Sequence, residues 1–173
     1  MGIALNTKRP TVVCVTSGSA LLNTAPAVAE ACYQHVPLIV VAADRPQQWI
    51  DQLDGQTLPQ PDALNRFVRR SVSLPEPRTE EERWYCNRLV NEALHAATFR
   101  QPAPVLINVP VTEPLFTFDV ASLPKERRFR MLDSEATLTN TTVEALQHEL
   151  YQAKRPLIVV GQMAADSFGC SVF

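Results

Sequence analysis

The chain has 173 residues, of which 46% are hydrophobic and 20% charged, close to the averages for soluble globular proteins, so extensive disorder is excluded. The net charge of −2 is too small to indicate binding to nucleic acid or to an anionic membrane. The apolar runs are far shorter than the ~20 residues of a membrane-spanning helix, and the N-terminal residues lack the order of a signal peptide, which together predict a cytoplasmic protein.

Two valine-rich runs in the first part of the chain predict strands of a parallel sheet. Residues 11–16 and 37–43 are apolar without polar alternation, as expected of strands that are buried on both faces. Residues 19–34 between them predict helix, with Pro26 early in a second helical segment and Thr24 near its N-cap. Strand, turn, helix and strand make a βαβ unit with a right-handed crossover.

A long segment without periodicity follows. Residues 46–65 are rich in glutamine and proline, and loops of this length in compact domains are usually functional or mobile. Residues 63–69 predict a short helix. A basic trio at its end, Arg66, Arg69 and Arg70, falls on one helical face, which favours a solvated surface over the alternative of a ligand site. Residues 71–74 predict a short strand.

A capping box opens the longest predicted helix. The Thr79 hydroxyl is placed to accept from the Glu82 amide while Glu82 reaches back to the N-cap. The helix carries an apolar stripe that predicts packing against a sheet. The stripe consists of Trp84, Leu89, Val90, Ala93, Leu94 and Ala97. Residues 105–109 predict the next buried strand, ended by Pro110.

The remaining pattern predicts a second α/β domain that begins and is cut short. A capping box at Thr141–Glu144 opens a helix to about Ala153, and residues 156–160 predict a strand. We therefore expect a parallel sheet flanked by helices, of α/β class, in a first domain. The expected limits are a partial first domain at 1–118, a linker at 119–138 and a truncated second domain at 139–173.

The cysteines and histidines predict neither a metal site nor a catalytic set. The four cysteines, Cys14, Cys32, Cys86 and Cys170, and the three histidines, His35, His95 and His148, are widely separated. A zinc site needs ligands clustered at short spacings. Cys14 lies within an apolar run and is expected to pack as a small hydrophobic side chain.

Two motifs carry a resemblance to known enzymes. The run Thr16–Ala31, which begins Thr-Ser-Gly and has Asn before a proline-containing helix, and the strand ending in Ala-Asp-Arg-Pro46 resemble the pyrimidine-binding domain of thiamine diphosphate enzymes. The spacing from Asp51 through Gly55-Gln56 to Gln60-Pro61 is similar to the family of 2-succinyl-5-enolpyruvyl-6-hydroxy-3-cyclohexene-1-carboxylate synthases. Gly55 is a departure, since that family commonly has Asn there, so no side-chain contact is expected from this position.

The resemblance implies a transferase of menaquinone biosynthesis. Such an enzyme decarboxylates 2-oxoglutarate and adds the succinyl-semialdehyde unit to isochorismate, with thiamine diphosphate as the electron sink. It implies a homodimer or tetramer that uses Mg²⁺, with the Mg²⁺–diphosphate motif and the glutamate beside the pyrimidine both outside this sequence. The chain alone is then expected to be an inactive fragment with no catalytic residue of its own.

The resemblance also implies binding residues. Thr16, Ser17, Gly18 and Asn23 would border the pyrimidine ring, at a strand end where α/β proteins bind ligands. The alternative is that Ser17 and Ser19 only cap a helix.

Arg45 and Gln56 would contact substrate, since a guanidinium grips a carboxylate in two places. The alternative for Arg45 is a structural contact with Asp44 and the local backbone.

Two other functions remain open at this stage. One is a different thiamine diphosphate enzyme of the acetolactate synthase type. The other is a non-catalytic α/β module that binds a nucleotide or a partner, since a fold alone does not fix a function.

Overall fold

A computed structural model describes residues 1–112, 120–132, 134, 136–159 and 161–162. The chain divides into two compact units, the first covering Met1–Arg130 and the second beginning at Met131. Cys170 lies outside the described residues, as do residue 160 of the predicted strand and all residues from 163 onward. The domain limits expected from the sequence stay predictions.

The first unit is built on a parallel sheet. Among the described residues it has four strands in the order β1-β2-β4-β3, and every pairing is parallel. The strands are β1 Thr11–Val15, β2 Leu38–Asp44, β3 Arg70–Ser73 and β4 Val105–Pro110. The predicted α/β class is confirmed. Because the strands are parallel, their carboxyl ends all meet at one edge of the sheet.

Helices connect these strands and cover the sheet. They are α1 Gly2–Thr7, α2 Ser19–Leu22, α3 Ala25–Tyr33 and α4 Glu80–Thr98, with a short 3₁₀ helix at Gln47–Trp49. The predicted break in the first helical region is confirmed, because Thr24 is the N-cap of α3 and Pro26 lies in its first turn. A proline there costs no hydrogen bond, since the first amides of a helix have no partner within the helix.

Two apolar clusters occupy the two faces of the sheet. On one face, buried residues of α1, α2 and α3 pack on side chains of β2, among them Leu21, Val28 and Val40. On the other face, α4 packs on β2, β3 and β4. Each fully buried side chain of this size contributes roughly 1.5–3 kcal/mol. The sheet is therefore packed on both faces, which makes its carboxyl edge rigid.

The prediction that β1 is buried on both faces is wrong. Its burial alternates, and Val12 is 55% exposed. Cys14, expected in the core, is exposed as well. The reason is that β1 lies at one end of the described strand order, and α4 packs on the other three strands. Only Val13 and Val15, on the opposite face, join the apolar cluster.

The predicted stripe of α4 is narrower in the structure. Leu89, Ala93 and Ala97 are buried, whereas Trp84 and Leu94 are exposed. At 100° per residue, Trp84 and Leu94 each lie about 140° from Leu89 around the helix axis, so they face away from the sheet. The predicted stripe included them because it allowed spacings of up to five residues. On a straight helix, a spacing of five places two side chains about 140° apart.

The predicted helix at 63–69 is also wrong. These residues form successive turns, with Phe67 N donating to Leu64 O, rather than a regular helix. Arg69 N donates instead to Pro104 O, which draws the chain into the extended path of β3. The Arg69 side chain donates to backbone carbonyls of Ala96 and Gln101, and Arg70 bonds to Glu92 at 2.7 Å. Two of the basic trio thus tie this segment to α4 and its C-terminal end.

The second unit contains one helix among its described residues, α5 Asn140–Gln152. The predicted capping box at Thr141 is wrong, because the N-cap is Thr139, whose hydroxyl accepts from Thr142 N at 3.3 Å. The helix therefore starts earlier, and Thr142 holds the third helical position in place of Glu144. The predicted strand does not form at 156–159, and residue 160 is outside the described part. A strand needs a paired neighbour, and the described residues offer none to this segment.

Within the described ranges, no helix is both long and apolar enough to cross a membrane.

The capping box of α4 is confirmed and generates a first prediction. Thr79 Oγ1 accepts from Glu82 N at 3.2 Å, and Glu82 accepts from the amides of Thr79 and Arg78. Thr79→Ala is expected to lower the free energy of unfolding by about 1 kcal/mol, because it removes the acceptor of the Glu82 amide. Urea unfolding measures this. The matched control is Thr98→Ala at the other end of α4, where a hydroxyl donates only to Leu94 O; equal losses in the two variants would contradict the role of the cap.

Candidate functional site

The candidate site lies at the carboxyl edge of the sheet. Residues 16–18 follow β1 directly, and Arg45 follows β2. In open parallel sheets, ligands bind outside this edge because the turns after neighbouring strands converge there. Four of the predicted cofactor and substrate residues, Thr16, Ser17, Gly18 and Arg45, lie in these two turns, and the strands that precede them are paired in register. Asn23 directly follows α2, and Gln56 lies in the long loop before β3.

A glutamine that sequence reasoning did not single out as a site residue lies beneath this edge. Gln60 is completely buried, although it belongs to the long polar loop, in which Pro59 and Pro61 flank it. Its Oε1 accepts from Gly18 N at 2.7 Å. Its Nε2 donates to Ala43 O at 2.9 Å and to Asn108 Oδ1 at 2.8 Å. One side chain thus bonds to the turn after β1, to β2 and to β4.

The bonds continue through Asn108 to Arg45. Asn108 is completely buried in β4, and its Nδ2 donates to Asp44 Oδ2 at 2.7 Å and to Ser73 Oγ at 3.2 Å. Asp44 in turn accepts from Arg45 N at 2.8 Å through Oδ1. An unbroken series of hydrogen bonds therefore joins the Gly18 amide to the Arg45 amide. We call Gln60, Asn108 and Asp44 the edge network.

Gly18 cannot carry a side chain in this arrangement. Its φ is +82°, in the region that favours glycine, and a Cβ built on it would lie 3.1 Å from the Cα, C and O atoms of Gln56. The backbone of the long loop therefore passes directly over the turn after β1. This contact brings Gln56, predicted to bind substrate, next to Gly18, predicted to bind cofactor.

A cleft of about 830 Å³ opens beside the edge network. Its walls come from the turn after β2, the long loop, the end of β3 and α4. The lining includes Arg45, Gln60, Asn108, Glu76, Arg78 and Tyr85. Of the predicted site residues, only Arg45 lines this cleft; Thr16, Ser17, Gly18, Asn23 and Gln56, all in the described part of the chain, do not.

The Arg45 side chain lies between this cleft and a second cavity of about 490 Å³. Its Nε is 3.7 Å from Asp54 Oδ2, and the guanidinium is only partly exposed. The local contact expected under the structural alternative is present too, since Arg45 N bonds to Asp44. The hydrogen bond to Asp44 uses the backbone amide of Arg45, whereas a substrate contact would use its side chain. The structural alternative and the predicted substrate contact are therefore compatible with each other.

The other predicted residues differ in access. Thr16, Asn23 and Gln56 are exposed, whereas Ser17 and Gly18 are buried. The alternative that serines cap the helix finds no support, because the N-cap of α2 is Gly18 and no side chain caps it. The φ of Gln56 is +58°. Asp51 and Leu53 in the same loop also have the left-handed conformation.

At one rim of the cleft, the carboxylate of Glu76 joins two segments of the chain. Glu76 accepts from Thr112 N and from Thr112 Oγ1, both at 2.9 Å, and lies 3.4 Å from Arg78. The hydrogen bonds from Thr112, followed by the nearby Arg78 charge, lower the pKa of Glu76 below its usual value. The segment after β3 and the segment after β4 are joined by these bonds.

Over the described ranges, no group of three or more His, Cys, Asp or Glu side chains is arranged to hold a metal ion.

The chain is similar to known proteins in sequence and in fold. Residues 1–65 match the family model described as thiamine pyrophosphate enzyme, N-terminal TPP binding domain. The fold is similar to benzoylformate decarboxylase from Polynucleobacter necessarius, with a TM-score of 0.65 at 17% identity over 90% of this chain and 28% of that one. The part of the first unit that contains β1 and β2 is therefore similar to a thiamine pyrophosphate enzyme N-terminal domain.

The curated relatives narrow this class. The chain is 52% identical over 166 residues to 2-succinyl-5-enolpyruvyl-6-hydroxy-3-cyclohexene-1-carboxylate synthase of Bacteroides thetaiotaomicron, and 48% identical over 163 residues to the synthase of Phocaeicola vulgatus. It is 40% identical over 167 residues to that of Porphyromonas gingivalis. These matches cover 94–96% of this chain but 29% of each relative. The chain is thus similar to one segment of these synthases and spans under a third of their length.

The close contact at Gly18 yields a second prediction. Gly18→Ala is expected to destabilise the chain by more than 1 kcal/mol and to displace the backbone at Gln56, because the new methyl meets backbone atoms at a positive φ. Urea unfolding and the NMR shifts of the amides of residues 56–58 and 60 measure the two effects. Gly55→Ala is the matched control, since a Cβ there meets nothing within 4 Å; a loss as large in the control would contradict the account.

The lowered pKa of Glu76 yields a third prediction. A carboxyl whose pKa is lower in the folded state contributes stability above its unfolded pKa of about 4.5, and that stability is lost as the pH falls through the folded value. Glu76→Gln is therefore expected to reduce the dependence of the unfolding free energy on pH as the pH falls below about 4.5. Glu80→Gln, on the exposed start of α4, is the control. An unchanged pH dependence in Glu76→Gln would refute the prediction.

Proposed function

We propose that this chain supplies the pyrimidine-binding side of a thiamine diphosphate-dependent transferase of menaquinone biosynthesis. The whole protein would decarboxylate 2-oxoglutarate and add the resulting succinyl-semialdehyde unit to isochorismate. The observation that carries the proposal is the edge network, which holds the turn after β1 and Arg45 at one edge of the sheet beside a cleft. The similarity to the synthase relatives supports the same reaction.

The residues present suit one part of the cofactor. Thr16, in the turn after β1, and Asn23, directly after α2, are exposed residues whose side chains carry groups able to hydrogen-bond to an aminopyrimidine ring. Ser17 and Gly18 would shape the turn beneath it. When bound, thiamine diphosphate supplies the electron sink for decarboxylation. Mg²⁺ and the diphosphate would be held elsewhere, since the described residues offer no cluster of metal ligands.

Arg45 is the proposed receptor for a substrate carboxylate. It lines the cleft, its backbone is fixed by Asp44, and its guanidinium already lies near the carboxylate of Asp54. Both proposed substrates carry carboxylates, which a guanidinium binds through paired hydrogen bonds. Gln56 would add a hydrogen bond from the loop that passes over Gly18. The proposal also includes that the whole protein is a homodimer or tetramer and is cytoplasmic.

The reaction is tested in a chimera. The matching segment of the Bacteroides thetaiotaomicron synthase is replaced by this chain, and calorimetry with thiamine diphosphate and Mg²⁺ is followed by assays with 2-oxoglutarate and isochorismate. We expect binding and condensation, and no condensation by the 173-residue chain alone. A folded chimera that binds cofactor but prefers pyruvate would favour an acetolactate-type enzyme. A folded chimera without cofactor binding would favour a non-catalytic module.

A fourth prediction concerns Arg45 in the same chimera. Arg45→Lys keeps the charge but loses paired hydrogen bonding, so the KM for 2-oxoglutarate is expected to rise about 10- to 100-fold, the equivalent of one or two charged hydrogen bonds. Steady-state kinetics measure it. Arg83→Lys, on the exposed face of α4, is the control and should leave the KM unchanged. A KM within twofold of the parent in Arg45→Lys would exclude Arg45 as the carboxylate receptor.

A further inference from the structure

We propose that Gln60 is a positioning residue that couples the turn after β1 to Arg45, so that the two proposed binding elements keep one fixed spacing. The inference rests on the proposed function for its consequence in catalysis, but the coupling itself is a property of this chain. Because Gln60 is completely buried, it would act through the residues that it holds and not through an exposed surface of its own.

The bond to Gly18 fixes the orientation of a peptide group. Gly18 N–H points inward to Gln60 Oε1 at 2.7 Å. A trans peptide is planar, with its N–H and C=O directed oppositely, so the Ser17 carbonyl is turned away from Gln60. The conformation of Gly18, with φ at +82°, accompanies this orientation. Loss of the Gln60 acceptor would therefore free the peptide between Ser17 and Gly18 to rotate, and with it the turn proposed to border the pyrimidine.

The bonds on the amide nitrogen fix the other end. Gln60 Nε2 uses both of its hydrogens, one on Ala43 O and one on Asn108 Oδ1. With Oδ1 engaged in this way, the Asn108 amide has its Nδ2 directed at Asp44 and Ser73. Asp44 then holds Arg45 N. Reversal of the Asn108 amide would place its oxygen against the Asp44 carboxylate, so the orientation set by Gln60 is transmitted to Arg45.

Only a neutral carboxamide meets these requirements. The position needs one acceptor for an amide and two donors for two oxygens, which glutamine supplies and a carboxylate or an apolar side chain does not. Pro61 restricts the backbone of Gln60, the residue before it, and Pro59 fixes its own φ, so less entropy is lost when this segment is ordered. A fully satisfied buried network of this kind makes its members rigid with respect to each other.

The coupling is tested on the 173-residue chain by amide hydrogen exchange, with the Val40 amide of β2 as an internal reference for global unfolding. Gln60→Leu, of similar volume, is expected to accelerate exchange at both Gly18 and Arg45 about tenfold or more relative to Val40. Gln60→Glu keeps the acceptor but loses both donors, so it should accelerate Arg45 and spare Gly18. Val28→Ala, a control at a buried position within α3, should change neither ratio.

These outcomes separate positioning from general stability. Equal acceleration at Gly18, Arg45 and Val40 would mean that Gln60 only stabilises the fold, and an unchanged Arg45 ratio in both Gln60 variants would overturn the coupling. If Gln60→Leu does not fold, the split expected in Gln60→Glu decides the question.

A catalytic readout follows in the chimera. Gln60→Leu is expected to raise both the Kd for thiamine diphosphate and the KM for 2-oxoglutarate about tenfold, whereas Val28→Ala should raise neither. A change in only one of these constants would overturn joint positioning. Should the parent chimera bind no thiamine diphosphate, the proposed function fails, and the exchange ratios alone then support or overturn the coupling.

Discussion

The hydrogen bonds of one buried carboxamide constrain the whole carboxyl edge of the sheet. Gln60 is inserted from a loop into a space where three strands end, and each of its polar atoms has a partner. A buried amide left without partners costs about 1–3 kcal/mol for each lost group, so the loop, the turn after β1 and β4 are all required to keep their places. The long polar loop is thereby anchored at one residue, although it has little regular structure of its own.

This constraint explains features that look unrelated. Gly18 needs a positive φ because its amide turns inward to Gln60 while the backbone of Gln56 passes over it. Asp44, at the end of an apolar strand, is tolerated in a buried position because Asn108 and the Arg45 amide both donate to it. The apolar clusters on the two faces make the strands rigid, and the edge network fixes the turns that extend beyond them.

Local patterns predicted most of the fold but little of this network. Continuous apolar runs identified β1, β2 and β4, and Thr79 with Glu82 identified the start of α4, since these signals depend on neighbours in sequence. The exposure of Cys14 was missed because it depends on which strands α4 covers. Gln60 is flanked by prolines in a polar segment and was assigned to the loop; its burial comes from contacts 42 and 48 residues away. The signal that was available is Asn108, a lone amide within an apolar strand, which needed a buried polar partner.

The most direct test of a single cooperative edge network is a double-mutant cycle between Gln60→Leu and Asp44→Ala, read as free energy of unfolding in urea. The two side chains are linked through Asn108, which bonds to both. If the three residues act as one unit, the first substitution removes most of what the second would cost, and we expect an interaction energy above about 1 kcal/mol. Losses that add within about 0.5 kcal/mol would contradict the account, because Gln60 and Asp44 would then act independently.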